Sequence, residues 1–382
     1  MRLPLGFTSS AVAAGIKPSG NPDVALLVGD GPLAWAFAGT RNRLVAPCVT
    51  RNRLRYGTGQ TVRAIAMNSG NANCAAGAQA AVDNEEFAAR AAMLFGDVRP
   101  QEVLTASTGV IGVPLPMERL RAGLGRLPDG LDEDAAAMSE AILTTDTRTK
   151  QVAATVRGGA RVVGVAKGSG MIHPDMATML GFVTTDAAVS QATLREVWPE
   201  IVARTFNQVT VDGDTSPNDM AIVLASGRVE APVHELVEAL EAVAARLAEK
   251  IAADGEGAGT LLRVTVTGAR DASDARRAAR AVAGSALVKA AVHGRDPNWG
   301  RVLSAVGQSG AVWDEARVEV TLQGTTVYRG EPLDVDASAL SGALDAEAVE
   351  VRIDLAAGPA DGRAWGCDLT EGYVRINADY TT

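Results

Sequence analysis

The sequence predicts an α/β protein in which mixed β-sheets are flanked by helices. Helix-like and strand-like patterns alternate along all 382 residues, and no long low-complexity linker interrupts them. Hydrophobic residues make up 47% of the chain but aromatic residues only 4%, so the core must be built largely from Val, Leu, Ile and Ala. A chain of this length can bury such a core in several packed layers.

The predicted strands are short, and several alternate polar and apolar residues as half-buried strands do. They are residues 23–28, 62–67, 151–156, 162–165, 262–267, 317–322 and 349–355. The predicted helices are Ala-rich or amphipathic. They are residues 79–95, 192–206, 233–253 and 273–293. Residues 373–382 also alternate like a strand, which predicts that this end of the chain is buried or in use.

Composition and charge exclude several classes of function. The net charge of −9 argues against a nucleic-acid partner, and no apolar run approaches the ~20 residues that cross a membrane. The first 20 residues are broken by Pro and Gly and lack the apolar core of a signal peptide. The three cysteines are far apart and form no C-x-x-C pair, which is typical of a reducing compartment. We therefore expect a cytoplasmic protein that binds neither membrane nor nucleic acid.

The most informative segment is residues 167–181, which runs from a Gly-rich turn with Lys167 to the small-residue pair Ala177-Thr178. Thr178 could attack the preceding carbonyl, cut the backbone and become the N-terminal residue of a second chain. It would then carry its own base, because a free α-amine titrates near pH ~8. The alternative is a strand-to-helix connection with a buried Thr.

The scarcity of histidine favours this unusual nucleophile. The chain has three histidines, His173, His234 and His293, and none lies in a G-x-S-x-G context. A Ser-His-Asp arrangement is therefore not predicted. If acyl chemistry takes place, an N-terminal amine is the available base.

Other polar loops could complete a site, and each has a plainer interpretation. Thr108-Gly109 could present a hydroxyl and a backbone N–H to one oxyanion, or could form an ordinary turn. Lys167 could bind a substrate carboxylate or lie solvated on the surface. Glu256 could receive an ammonium group or decorate a turn. Residues 211–219 lack the spacing of a metal-binding loop and suit a capping turn close to the site.

Taken together, these segments resemble the ornithine acetyltransferase family of arginine biosynthesis, also called glutamate N-acetyltransferases. The run 167–181 is the most specific of the matches. The matching runs follow the chain in order and are residues 68–73, 107–112, 144–147, 167–181, 211–219, 254–258, 294–301 and 373–382.

The resemblance implies the fold shared by ornithine acetyltransferases and self-processing aminopeptidases, and a chain that cuts itself between Ala177 and Thr178. Residues 1–177 would form an α chain and residues 178–382 a β chain, intertwined in one protomer and assembled as an α2β2 heterotetramer. The implied reaction passes acetyl from N2-acetyl-L-ornithine through acetyl-Thr178 to L-glutamate. It needs no metal and no organic cofactor, and acetyl-CoA as a further co-substrate stays open.

The resemblance also implies a role for each site residue. Thr178 is the nucleophile, and Thr108 and Gly109 form the oxyanion hole. The substrate contacts are Thr144, Lys167, Thr178, Glu256, Asn377 and Thr382. Thr144 and Thr145 are adjacent, and the sequence does not decide between them.

Two other functions compete with acetyl transfer. A self-processing aminopeptidase or amidase of the same fold would use water as the acceptor. A non-catalytic assembly protein would use the polar loops only as interfaces, and would remain one uncut chain.

Overall fold

A computed structural model describes residues 1–173 and 179–379, and it confirms the predicted α/β fold with mixed sheets. Every strand predicted upstream of residue 360 is present, with its ends moved by a few residues. The strands are β1 Phe7–Val12, β2 Val24–Gly39, β3 Val62–Asn71, β4 Val103–Val110, β5 Lys150–Thr155, β6 Arg161–Lys167, β7 Leu180–Ala187, β8 Met220–Val229, β9 Leu261–Ala269, β10 Glu319–Leu322, β11 Thr325–Arg329, β12 Ala348–Asp354 and β13 Ala360–Cys367.

Helices cover these strands and connect them. The helices are α1 Pro47–Thr58, α2 Gln79–Ala92, α3 Met117–Leu124, α4 Ala136–Ala141, α5 Gln191–Arg204, α6 Val233–Ala253, α7 Ala272–Gly284, α8 Ala286–His293, α9 Trp299–Gln308, α10 Ala337–Ala343 and α11 Glu371–Asp379. No helix in the described ranges is both long and apolar enough to cross a bilayer.

The larger sheet has eight strands in the order β4-β3-β2-β8-β7-β6-β5, with β1 added on β2. The pairs β3–β4 and β7–β8 are parallel and the others are antiparallel. Strand β2 pairs with β3 through its first half and with β8 through its second half. Because β6 and β7 are neighbours, the chain before residue 174 and the chain after residue 178 share one sheet.

The smaller sheet has five strands in the order β11-β10-β12-β9-β13. Strands β9 and β12 are parallel, and β9 pairs with β13 in the antiparallel sense. Helix α6 packs against strands of both sheets. Its buried residues Leu236, Leu240, Val243 and Leu247 recur every three or four positions, which places them on one helical face.

The contact between α6 and the larger sheet depends on Gly164 of β6. A Cβ at this position would come within 2.6 Å of Leu247 and of Val243. The missing side chain therefore lets the helix lie directly on the strand, and this packing joins the two sheets into one body.

Two sequence predictions were wrong. The predicted helix 273–293 is two helices, because Ser285 has an extended backbone and its side chain caps α8 by accepting from the N–H of Val288. The predicted C-terminal strand is helix α11 through residue 379. The Thr370 hydroxyl accepts from the N–H of Gly372 and so starts this helix. An alternation of polar and apolar residues over only a few positions fits a helix as well as a strand.

Candidate active site

Six of the predicted site residues line one cleft, which encloses about 750 Å³ counting the space open to solvent. They are Thr108, Gly109, Thr144, Lys167, Glu256 and Asn377. Thr145 lines the same cleft, so the structure does not choose between it and Thr144. The predicted nucleophile Thr178, its neighbour Ala177 and the chain-end residue Thr382 lie outside the described residues.

Thr108 and Gly109 lie at the end of β4, beside the parallel end of β3. Ser69 pairs with Thr108 and Gly70 with Gly109. Gly109 has φ +129°, and a Cβ there would overlap the carbonyl carbon of Gly70 and approach the nitrogen of Asn71 to 2.6 Å. Only glycine therefore fits at this position.

We expect Gly109→Ala to lower the free energy of unfolding by about 2 kcal/mol or more, because it adds backbone strain to a clash with the backbone of β3. Gly112→Ala is the matched control. Gly112 also has a positive φ, +82°, but a Cβ there has nothing within 4 Å, so its cost is about 1 kcal/mol. Urea denaturation of both variants tests this, and equal losses would contradict it.

Lys167 ends β6 and is 4% exposed. Its Nζ lies 3.4 Å from Oγ1 of Thr108 and 3.9 Å from Oδ2 of Asp146. Burial lowers the pKa of the Lys167 ammonium, against the attraction of Asp146. The cleft thus has a desolvated amine next to the Thr108 hydroxyl.

A buried ion network lies behind Lys167. Lys150 is fully buried, and its Nζ donates to Asp146 at 2.7 Å and to Asp254 at 2.5 Å. The N–H of Gly168 donates to Asp146 at 2.6 Å, and the Thr147 hydroxyl donates to Asp254. The network therefore ties the loop that carries Thr144 to the turn after Lys167 and to the end of α6.

The charge of Asp146 makes stability depend on pH in the acid range. Burial would raise the pKa of Asp146, but Lys167 and Lys150 outweigh it and hold the pKa at about 2. A carboxyl whose pKa in the folded state is below its ordinary value of 3.8 stabilises the folded state above pH ~4. This contribution is lost as the pH falls through ~2.

We therefore expect the free energy of unfolding near pH 6 to be larger for wild type than for Asp146→Asn. About 2 kcal/mol of this difference should disappear as the pH falls from ~4 to ~2. Denaturant titrations at several pH values measure it. A difference that does not change with pH would contradict the ionised state of Asp146.

Glu256 lines the cleft from the loop after α6. Its N–H donates to the carbonyl of Ser169 at 3.0 Å, and its carboxylate lies where a side chain on Gly170 would be. Oε2 accepts from Nδ2 of Asn377 at 2.8 Å. Helix α11 therefore orients Glu256, although the sequence predicted a strand there.

Two further groups lie in the cleft, Asp212 and Tyr373. The sequence predicted Asp212 only as part of a capping turn, and Tyr373 only as part of a strand. Asp212 accepts from the N–H groups of Met171 and Ile172 at 2.5 and 2.8 Å, and burial raises its pKa. Burial, together with Asp212 and Glu256, raises the pKa of Tyr373. The interpretation of residues 211–219 as a turn close to the site was correct, since Asp212, Asp214, Ser216 and Asn218 line the cleft.

Asn218 connects the loop before β8 to the chain at the ends of β3 and β4. Its Nδ2 donates to the carbonyls of Ala72 and Ser107 at 2.6 and 2.9 Å. These bonds fix the loop before β8 against the ends of β3 and β4. Asn71 at the end of β3 and Asn73 just after it also donate to nearby backbone carbonyls, so their side chains stabilise the local structure.

The lining of the cleft carries charges of both signs. The Lys167 amine lies beside the Thr108 hydroxyl, and the carboxylates of Glu256, Asp212 and Asp214 also belong to the lining. Among the described lining residues there is no histidine. Such a cleft suits a small ligand that carries both a carboxylate and an ammonium group.

The fold and the cleft thus define a class: α/β proteins with a polar pocket for an amino-acid-like ligand at the ends of the larger sheet. Comparison with known proteins places the chain within that class. Residues 8–382 match the ArgJ family. The chain belongs to the ArgJ family, which confirms the resemblance to ornithine acetyltransferases seen in the sequence.

Two relatives that match along the whole chain carry one name. The chain is 56% identical to the arginine biosynthesis bifunctional protein ArgJ of Thermus thermophilus, with both chains covered in full. It is 53% identical to the protein of that name from Deinococcus radiodurans, covering 100% of this chain and 98% of that one. The crystal structure of ArgJ from Bacillus halodurans superposes with a TM-score of 0.51 at 38% identity, covering 53% of this chain and 100% of that chain.

Proposed function

We propose that this protein is a glutamate N-acetyltransferase of arginine biosynthesis. It transfers acetyl from N2-acetyl-L-ornithine to L-glutamate through an acetyl-Thr178 intermediate. One observation carries the proposal: in a chain of the ArgJ family, Thr108-Gly109, Lys167 and Glu256 line the same cleft. The relatives' name, arginine biosynthesis bifunctional protein, agrees with this reaction.

Both amino-acid substrates use the same charged groups. Lys167 binds the α-carboxylate, for which a buried amine is well suited because little water competes with the pair. Glu256, oriented by Asn377, binds an ammonium group of the substrate. Thr144 or Thr145 and the chain-end residue Thr382 add polar contacts.

The chemical step follows from the groups beside Lys167. The α-amine of Thr178 accepts the proton of its own hydroxyl, and the oxygen attacks the acetyl carbonyl of N-acetylornithine. The negative charge that forms on the carbonyl oxygen is stabilised by Thr108 and by the backbone N–H of Gly109. The Thr178 ammonium gives its proton to the amide nitrogen as the C–N bond breaks, so ornithine leaves as an amine and acetyl stays on Thr178. The glutamate amine then attacks the acetyl carbonyl, the ester bond to Thr178 breaks, and a proton of the glutamate amine returns to the Thr178 oxygen. The absence of histidine among the described lining residues supports the α-amine as the base.

Thr178 becomes N-terminal when the chain cuts itself after Ala177, which gives an α chain of residues 1–177 and a β chain of residues 178–382. The pairing of β6 with β7 supports this, because a sheet formed from both pieces keeps them together after the cut. The coverage of the Bacillus halodurans structure also supports it. The whole Bacillus halodurans crystal chain is covered by the match, which takes in 53% of the present chain. Residues 178–382 are 205 of the 382 residues of the present chain, which is a similar share. We propose that two copies of each piece assemble as an α2β2 heterotetramer.

The reaction needs no metal or organic cofactor, since acetyl passes between two amino acids. Acetyl-CoA as a second acetyl donor for glutamate is a further activity that the bifunctional name of the relatives supports. Three buried free cysteines support a cytoplasmic location.

The decisive experiment incubates the purified protein with N-acetylornithine, with and without glutamate, and quantifies ornithine and N-acetylglutamate by mass spectrometry. We expect equal amounts of both products, and only a single turnover of ornithine without glutamate. Ornithine release that continues at the same rate without glutamate would reject the transferase and favour the amidase. A parallel reaction with acetyl-CoA and glutamate tests the second donor.

A further inference from the structure

The proposed reaction brings two side chains of opposite charge to the same part of the cleft. In N-acetylornithine the α-amine is acetylated, so its only ammonium is at the end of the side chain. In glutamate the α-amine is the nucleophile, and the side chain ends in a carboxylate. Both charged groups follow the same number of side-chain carbons. With either α-carboxylate on Lys167, Glu256 therefore faces a cation in the first half-reaction and an anion in the second.

The described lining disfavours the anion. It carries the carboxylates of Glu256, Asp212 and Asp214, and Lys167 is the only cation among the described lining residues. Like charges at short range repel one another. An acidic side chain in this part of the cleft therefore needs a hydrogen-bond donor that is free to turn towards it.

Tyr373 of α11 is such a donor and lies beside these carboxylates. Its hydroxyl donates to Asp212. Its backbone packs on the loop that carries Glu256, where a Cβ on Gly257 would overlap the nitrogen of Tyr373. Nδ2 of Asn377 donates to Glu256 and to the carbonyl of Tyr373 at 2.8 and 3.1 Å. Tyr373 and Asn377 are four residues apart, so they share one face of α11, and both line the cleft.

A phenol suits both substrates, because its O–H rotates towards whichever acceptor is present and its oxygen also accepts. It is neutral, so it does not repel the ammonium of ornithine as a lysine or arginine would. Asp212 also accepts from the N–H groups of Met171 and Ile172 at 2.5 and 2.8 Å. Asp212 therefore keeps hydrogen bonds when the Tyr373 hydroxyl turns away from it.

We propose that Tyr373 is a specificity-determining residue that lets the cleft accept the acidic side chain of glutamate, by turning its O–H from Asp212 to the carboxylate of that side chain. The inference rests on the proposed function, since it takes N-acetylornithine and glutamate to occupy this cleft in turn. It adds to that function a reason why one site serves two amino acids of opposite side-chain charge.

The first test measures binding without any chemistry. Calorimetry titrates the purified protein with L-glutamate alone and with L-ornithine alone, neither of which carries an acetyl group to transfer. Tyr373→Phe keeps the ring and removes the O–H. We expect its Kd for glutamate to rise about 10-fold, since a hydrogen bond to a charged group is lost. The Kd for ornithine should change by less than about 3-fold, because the bond to Asp212 is present before and after ornithine binds.

Tyr328→Phe is the matched control. Its hydroxyl donates to the carbonyl of Gly330 at 3.0 Å beside the smaller sheet, and Tyr328 does not line the cleft. This variant also loses one phenol hydrogen bond, and both Kd values should stay at those of wild type. A Tyr373→Phe protein that binds glutamate as wild type does, or that loses affinity for both amino acids equally, would overturn the proposal.

Steady-state kinetics give a second, independent measurement. In a ping-pong reaction, kcat/KM for each substrate depends only on its own half-reaction. Tyr373→Phe should lower kcat/KM for glutamate about 10-fold and change kcat/KM for N-acetylornithine by less than about 3-fold. A purely structural role of Tyr373 would lower both values together, and that result would contradict the proposal.

The outcome is separable from that of the transferase assay. If wild type makes no N-acetylglutamate but Tyr373→Phe selectively weakens glutamate binding, the proposed function fails and this inference stands. If wild type transfers acetyl and Tyr373→Phe weakens both ligands equally or neither of them, only this inference fails.

Discussion

Thr178→Ala is expected to remain a single 39.4 kDa chain and to lose acetyl transfer by at least about 10³-fold. The substitution removes the only oxygen that, in the proposed mechanism, both cuts the backbone and holds the acetyl group. Wild type should give two bands on a denaturing gel, with the smaller N-terminal piece ending at Ala177. N-terminal sequencing of the other piece should read Thr-Met-Leu-Gly.

Thr178→Ser is the matched control for this prediction. Serine keeps a hydroxyl at the same position, so cutting and measurable transfer should persist at reduced rates. A Thr178→Ala chain that still splits between residues 177 and 178 would refute Thr178 as the cutting residue. Cutting without transfer in wild type would instead reject the acetyltransferase and leave self-processing in place.

Lys150→Met is expected to lower the free energy of unfolding by about 3–5 kcal/mol. The ammonium of Lys150 is buried between Asp146 and Asp254, both of which are inaccessible to solvent. Without it, Asp254 keeps, among the residues that the structure describes, only the mostly exposed Arg148 as a cationic partner, at 3.3 Å. Asp146 keeps Lys167 at 3.9 Å. Buried charge without a close partner is the physical cause of the loss.

Urea denaturation measures this effect, and Arg2→Met supplies the control. Arg2 pairs with Glu133 at 2.7 Å, but both side chains are more than half exposed, so its loss should cost no more than about 1 kcal/mol. The triple variant Lys150→Met, Asp146→Asn, Asp254→Asn should recover part of the stability, because it removes the orphaned charges. Lys150→Met with a stability within 1 kcal/mol of wild type would contradict the network.

Local patterns predicted a large part of the fold. The strands with one polar face, such as β5 and β12, were found from their alternation, and α6 from its amphipathic pattern. Strands β7 and β8 were missed. All residues of β7 are buried, so no polar face marks it as a strand. Helix α11 was predicted as a strand because polar and apolar residues alternate over a few of its positions, and so short an alternation fits a helix as well as a strand.

The candidate site, like the fold, was predicted only in part. Thr108, Lys167 and Glu256 were predicted because each is next to a glycine in the sequence and matches a site position of the family that the chain resembles. All three line one cleft. Asp212 and Asp219 lie in the segment 211–219, which the sequence predicted only as a capping turn close to the site. Their importance comes from burial and from contacts with residues about 40 positions earlier in the chain.

The sequence by itself determined the fold class, the position of the Ala177-Thr178 pair, and membership of an acetyltransferase-like family, because periodicity and local motifs are properties of adjacent residues. Only the tertiary structure decided which polar groups meet. The ion network of Asp146, Lys150 and Asp254 joins residues more than 100 positions apart, and such contacts have no local pattern. Burial, which raises the pKa of Asp219, and the neighbouring lysines, which lower the pKa of Asp146, are likewise properties of the folded chain alone.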